Sequence, residues 1–193
     1  VIWRSNLVNG VFATEIGTPV NATNGWMEWL GTDQRPLITV TATNWTIALA
    51  YECYDTSAYR GLIGLWNHPD NAHLMAAYAG SVYTRGFTNS VTLWDAAIRP
   101  QYGSGTVVYA ALSYDRATTN LYAMVATGTP RVVTGWYTSS TAKPYYQGSV
   151  NFEMGVEKLS YFFKGRTADI RMYKVAMASN ELTTLLGNIP IPP

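Results

Sequence analysis

The strongest constraint on this chain is a side-chain alternation of period two that returns in segment after segment. In "NWTIALAYECY" the side chains Trp45, Ile47, Leu49, Tyr51 and Cys53 fall on one face, with Thr46, Ala48, Ala50 and Glu52 on the other. This is the pattern of a strand with one large apolar face and one face of small residues. "TVVYAALSYD" and "NLYAMVATG" alternate likewise and flank "DRATTN", which predicts a hairpin whose turn Asp115 closes through its side chain. "RGLIGLWN" is apolar on both faces and predicts an interior strand, with Gly61 and Gly64 permitting close approach.

Further strands are predicted in "HLMAAYAGSVYT" and "SVTLWDAAI", separated by "RGFTN" as turn material, and then in "GSVNFEMGVE" and "GRTADIRMYKVAM". Residues 26–30 and 37–40 are two more candidates, split by a turn over 31–36. Only "SNELTTLLGN" has helical character, with Ser179 as the expected N-cap and Gly187 as the stop. Residues 1–25 are expected to be irregular and residues 188–193 to form a proline-rich extended tail. With no repeat and no linker, residues 1–193 read as a single domain, an antiparallel sandwich or barrel.

Composition excludes several function classes. The formal net charge is +1, so nothing favours electrostatic capture of nucleic acid. No apolar run reaches membrane-spanning length, which argues against membrane insertion. The single cysteine, Cys53, allows no intrachain disulfide; its place in an alternating strand predicts a small buried hydrophobe. The chain starts at Val1 without a signal pattern, as expected of a processed product or an excised domain. Asn21-Ala-Thr23 and Asn44-Trp-Thr46 fit the glycosylation acceptor pattern, which is common by chance in a Thr- and Asn-rich chain.

The stretch "FFKGRTADIRMYKVAM" packs charge into an otherwise apolar strand. Gly165, Asp169, Arg171 and Tyr173, then Ala176 and the short "SNELTTL" helix, resemble the C-terminal signature of laminin-G-like domains in the concanavalin-A-like lectin/glucanase superfamily. "NWTIALAYE" and the "TVVYAALSYDRATTNLYAMV" hairpin resemble earlier segments of that family, in the same order. Thr167 departs from its aliphatic position, and Leu182 stands where a capping-box acid is usual, with Glu181 one place early. The resemblance implies an all-β, two-sheet antiparallel jelly-roll sandwich with one short C-terminal helix. It also implies that the charges are architectural. On a strand Asp169, Arg171 and Tyr173 share one face, where Asp169 and Arg171 can pair, and Ala168, Ile170 and Met172 share the other.

Three constellations remain as candidate sites. Glycosidases on this fold carry E-x-D-x-x-E or E-x-D-x-E; the nearest approach is Glu153 and Glu157, widely spaced with Gly155 between them, so no enzyme is expected. No tight motif assembles a lyase's base with its carboxylate-neutralising groups either. In "NHPDNAH", Asp70 and Asn71, with Asn67, are candidate calcium ligands, whereas His68 and His73 suit zinc; the alternative is a turn set by Pro69. Of the two metals, calcium on Asp70 and Asn71 is the candidate cofactor carried forward. The third is the aromatic, low-charge loop read over residues 134–149. There Trp136, Tyr137, Tyr145 and Tyr146 stand among hydroxyls and amides suited to stacking on sugar rings, or to burial or a subunit contact.

The leading expectation is a non-enzymatic extracellular recognition module that binds carbohydrate or another surface ligand through loops at one sandwich end. Its partners would be a glycan or surface ligand, with a homo-oligomer or virion proteins as the other class. The alternative is a structural or decoration protein of a virion (phage capsid or tail) or other surface assembly, placing the chain outside cells or on a virion surface. A polysaccharide lyase or glycosidase ranks third.

Overall fold

The alternating segments pair into two antiparallel sheets. The computed structural model describes residues 13–16, 20–21, 26–31, 35–41, 44–65, 73–78, 81–88, 91–98, 101–140, 149–154 and 162–190. In chain order these hold β1 (Ala13–Ile16), β2 (Val20–Asn21), β3 (Met27–Leu30), β4 (Arg35–Thr41), β5 (Trp45–Cys53), β6 (Arg60–Leu65) and β7 (His73–Tyr78). They continue with β8 (Ser81–Thr88), β9 (Val91–Ile98), β10 (Val107–Asp115), β11 (Asn120–Thr127), β12 (Val132–Ser139), β13 (Ser149–Met154), β14 (Lys164–Tyr173) and the helix α1 (Ser179–Gly187). Sheet A has the order β1-β4-β13-β6-β7-β8-β9, and sheet B the order β12-β11-β10-β5-β14-β3-β2. The chain changes sheet between β1 and β2, β3 and β4, β4 and β5, β5 and β6, β9 and β10, and on both sides of β13. Repeated crossing between two layers is how a jelly roll avoids a single wide, open sheet.

Alternation places the core. In sheet B, β5 pairs with β10 so that Leu49 stands opposite Ala110 and Tyr51 opposite Val108. Trp45, Ile47, Leu49, Tyr51 and Cys53 are buried in one cluster with Leu62, Ile63, Ala77, Val82 and Met154 of sheet A, as the β5 pattern predicts. Each large side chain fully removed from water there contributes about 1.5–3 kcal/mol. Trp29 joins the cluster and donates its indole N–H to the Thr167 hydroxyl at 2.9 Å, so a buried donor is satisfied inside the core. The hairpin closes as expected: Asp115 accepts hydrogen bonds from the Ala117 N–H (3.0 Å) and the Thr118 hydroxyl (2.8 Å).

The small-residue face of sheet B is buried too. Ala48, Ala50, Ala111, Ala126 and Ala168 form a floor onto which α1 sets Leu182, Leu185 and Leu186. These leucines recur at helical spacing, and alanines beneath them let the helix approach closely. Ile189, beyond the helix, is also buried in this layer. Two arginines hold the helix end down: Arg131 donates to the Leu186 carbonyl at 3.2 Å and to that of Gly187, and Arg171 donates to the Asn188 carbonyl at 3.1 Å. Cations at orphan carbonyls complement the negative end of the helix. Ahead of the helix, Thr46 donates to the Val175 carbonyl (2.8 Å), and Ser113 accepts from the Met177 N–H (2.7 Å).

Several local expectations change. The face assignment along β14 fails because a register irregularity lies between Ala168 and Arg171, with Asp169 at φ 47°. The extra residue flips the parity, so Ala168 packs beneath the helix while Ile170 and Met172 face the sandwich core. The Asp169–Arg171 ion pair does form, at 2.6 Å. Helix α1 starts one residue earlier than expected, with Ala178 as N-cap, so Glu181 is the third helical residue and accepts from the Ala178 N–H at 2.7 Å. "HLMAAYAGSVYT" divides into the paired strands β7 and β8, and most of "RGFTN" belongs to β8, with an irregularity between Gly86 and Phe87. β3 and β4 lie in different sheets, and β1 and β2 fall within the segment expected to be irregular.

Candidate functional site

Residues 132–139 form the edge strand β12 of sheet B, whereas the sequence reading began a loop at residue 134. β12 pairs antiparallel with β11, placing Trp136 opposite Met124, Tyr137 opposite Ala123 and Thr138 opposite Tyr122. Ala123 belongs to the sandwich core and Met124 to the helix-side layer. The two adjacent aromatics therefore point to opposite sides. Tyr137 packs against the sandwich core, while Trp136 stands on the outer face with 69 % of its surface exposed. They cannot serve one ligand together. Tyr145 and Tyr146 lie outside the described residues.

Around Trp136 the register assembles neighbours that no linear motif signals. Tyr122 and Met124 share its face, and α1 brings Thr183, whose hydroxyl donates to the Met124 sulfur at 3.3 Å. The result is a shallow shelf: an exposed indole beside a thioether and a half-buried phenol, with hydroxyls of Thr138 and Thr183 at its margin. A flat apolar surface ringed by neutral hydrogen-bonding groups suits stacking on the C–H face of a sugar or a similar neutral ring. The nearby cation Arg131 is engaged with the helix end and lies over the Tyr109 ring at 4.2 Å, so it is not free to charge the shelf.

Five of the described carboxylates, Glu52, Asp55, Asp115, Asp169 and Glu181, make structural contacts. Glu52 accepts from Arg166 Nε (2.9 Å) and Nη2 (2.6 Å) on one oxygen, while Arg166 lies over the Trp26 ring at 4.3 Å. Asp55 is held down to about 2 by hydrogen bonds from Ser57 and Arg60, with which it also pairs. Asp115 closes a turn, Asp169 pairs with Arg171, and Glu181 caps the helix. Glu153 lies in β13, and Glu157 is outside the described residues.

Cys53 is buried, and burial pushes its thiol pKa up; the S–H faces the carbonyls of Asp55 (3.3 Å) and Lys164 (3.7 Å). It is a core residue, as predicted, not an activated nucleophile. Among the described residues no three His, Cys, Asp or Glu side chains converge as a metal site. The calcium candidates Asp70 and Asn71, with Asn67 and His68, lie outside the described residues, and His73 begins β7.

No protein-family model matches the chain, and no curated protein matches it in sequence. Solved structures do match in shape. A native heptameric SAP-like pentraxin from Limulus polyphemus superposes with a TM-score of 0.63 at 9 % identity, over 83 % of this chain and 81 % of that one. The architecture is a two-sheet jelly roll. Domain 4 of AbnA, a GH43 extracellular arabinanase from Geobacillus stearothermophilus, in complex with arabinotriose, gives a TM-score of 0.62 at 16 % identity, over 90 % of this chain and 87 % of that one. The Ruminococcus gnavus IT-sialidase CBM40 bound to α2,3 sialyllactose gives 0.58 at 13 % identity, over 76 % and 84 %. At these identities the likeness is one of fold, and function has to be argued from the site.

Proposed function

We propose that this chain is a non-catalytic carbohydrate-binding module of the laminin-G-like type, acting outside cells, with Trp136 as its principal contact. The observation that carries the reading is the exposure of that indole on a strand face, in a fold that buries Trp26, Trp29 and Trp45. A rigid strand holds the ring ready at little entropic cost, which a mobile loop would not. Two of the structural neighbours were solved with saccharides, and Glu52, Asp55 and Asp169 are committed to ion pairs with arginines, both of which support binding over hydrolysis. The test is a glycan array followed by calorimetry. Millimolar or tighter binding to at least one saccharide is expected, with at least tenfold loss in Trp136→Ala. Because the ring is exposed, that variant should keep its unfolding free energy within about 0.5 kcal/mol. Binding unchanged in a folded Trp136→Ala protein would overturn the reading.

A second reading, a building block of a virion or other surface assembly, draws on β12 as a whole. It is an edge strand without a charged residue, and Val132 at its start is 60 % exposed, as Trp136 is farther along. Such an edge is a template for pairing with another chain. Sedimentation velocity separates the two: a stable oligomer broken by Val132→Lys supports assembly, and a monomer at all concentrations rejects it.

A further inference from the structure

Sheet A carries a second aromatic group on its own outer face. Tyr59 precedes β6, Tyr78 ends β7, and Tyr83 lies in β8. Register brings them together, with Arg60 opposite Ala77 and Tyr83 opposite Ala76. Ala77 and Val82 are in the sandwich core, so Tyr78 and Tyr83, one residue along each strand, point outward. The ring centroids of Tyr59 and Tyr78 are 5.4 Å apart at 41°, and Tyr83 stands edge-on to both, at 6.0 Å and 75° from Tyr59 and 6.3 Å and 82° from Tyr78. Edge-to-face packing of this kind fixes ring orientation. Tyr78 nevertheless keeps 45 % of its surface exposed, while Tyr59 and Tyr83 are half-buried.

The surroundings favour a neutral ligand. Asp55 and Arg60 are closed on each other, and Arg60 also donates to the Phe162 carbonyl at 3.4 Å. Tyr78 presents one exposed ring backed by two fixed ones, a patch on the scale of one sugar ring rather than of the roughly 800 Å² per partner of a standard protein interface. The helix packs on sheet B, so it does not cover this group.

We infer that Tyr59, Tyr78 and Tyr83 form a second saccharide subsite, selective for neutral sugars, on the face opposite Trp136, so that one chain binds two glycans at once. The inference rests on the carbohydrate-binding reading. Packed sheets lie about 10 Å apart and their outer faces point away from each other, so one saccharide cannot reach both groups but two polysaccharide strands can be bridged.

The experiment measures stoichiometry by calorimetry with arabinotriose, lactose and sialyllactose, and polysaccharide cross-linking by light scattering. Two neutral saccharides per monomer are expected, falling to one in Tyr78→Ala, with cross-linking lost and the Trp136 site intact. Tyr78→Leu, which retains apolar bulk over Tyr83, should fold normally and also lose the second site, separating lost stacking from lost folding. One saccharide per chain, sensitive to Trp136→Ala and indifferent to Tyr78→Ala, overturns the second subsite and leaves the first standing. No binding to any saccharide removes the carbohydrate reading itself. A dimer that dissociates in Tyr78→Ala overturns the subsite in favour of a second copy of the chain, and sialyllactose binding more tightly than lactose at the Tyr78 site overturns its selectivity.

Discussion

The guanidinium of Arg131 lies 4.2 Å from the ring centroid of Tyr109, and from there it reaches the last carbonyls of α1. One side chain thus joins the β11–β12 connection to the outer face of sheet B and to the end of the helix. Arg131→Ala removes a cation–π contact and a charge-assisted cap together, with an expected loss of about 1–3 kcal/mol in urea unfolding. Hydrogen exchange should quicken first at Asn188 and Ile189, whose N–H groups bond to Leu185 and Leu186. Uniform exchange across the chain would argue against a local role.

Gly165 explains the glycine of the C-terminal signature. A Cβ there would lie 2.1 Å from the Glu52 carbonyl oxygen and 3.1 Å from the Cys53 Cα. Both obstacles are backbone of the neighbouring central strand and cannot rotate away. Gly165→Ala is expected to cost about 3 kcal/mol or more, or to prevent folding, as read from the urea midpoint or the soluble yield.

Thr167→Val keeps the shape of a buried side chain and removes the acceptor of the Trp29 indole N–H. An unsatisfied donor in the core costs about 1–3 kcal/mol. A double-mutant cycle with Trp29→Phe measures it: most of the loss should vanish when the indole N–H is absent too.

Asp55 gives a pH signature of known sign. Hydrogen bonds from Ser57 and Arg60 hold its carboxyl at about 2, below the ordinary 3.8, so folding favours the ionised form. The associated stability is complete above the unfolded value and is lost as pH falls through the folded one. The difference in urea midpoint between the native chain and Asp55→Asn should therefore be constant at pH 5–7 and shrink between about pH 4 and pH 2. A difference independent of pH would show that the carboxylate's charge is not what matters.

Much of this was legible in the residues. Alternation is a local property, so the apolar face of β5, the β10–β11 hairpin and the buried state of Cys53 and Trp45 followed from spacing alone. The expected Asp169–Arg171 pair forms, but at the register irregularity rather than along one face of a regular strand. The helix, too, was visible from Ser179 as N-cap and Gly187 as the stop, one residue off at each end, since Ala178 and Asn188 are the caps.

Only the tertiary structure decided what those faces meet. The alanine face of β5 reads as solvent-facing by itself; the helix that covers it arrives from the far end of the chain. A single inserted residue at Asp169 reversed the parity of β14, a choice that depends on pairing with β5 rather than on any local preference. The aromatic loop turned out to begin as the edge strand β12, which separates Trp136 from Tyr137 and supplies Tyr122, Met124 and Thr183 as the neighbours of Trp136. Local chemistry sets periodicity and caps. Register between distant strands sets which side chains share a surface, because pairing energy depends on partners that the local sequence does not contain.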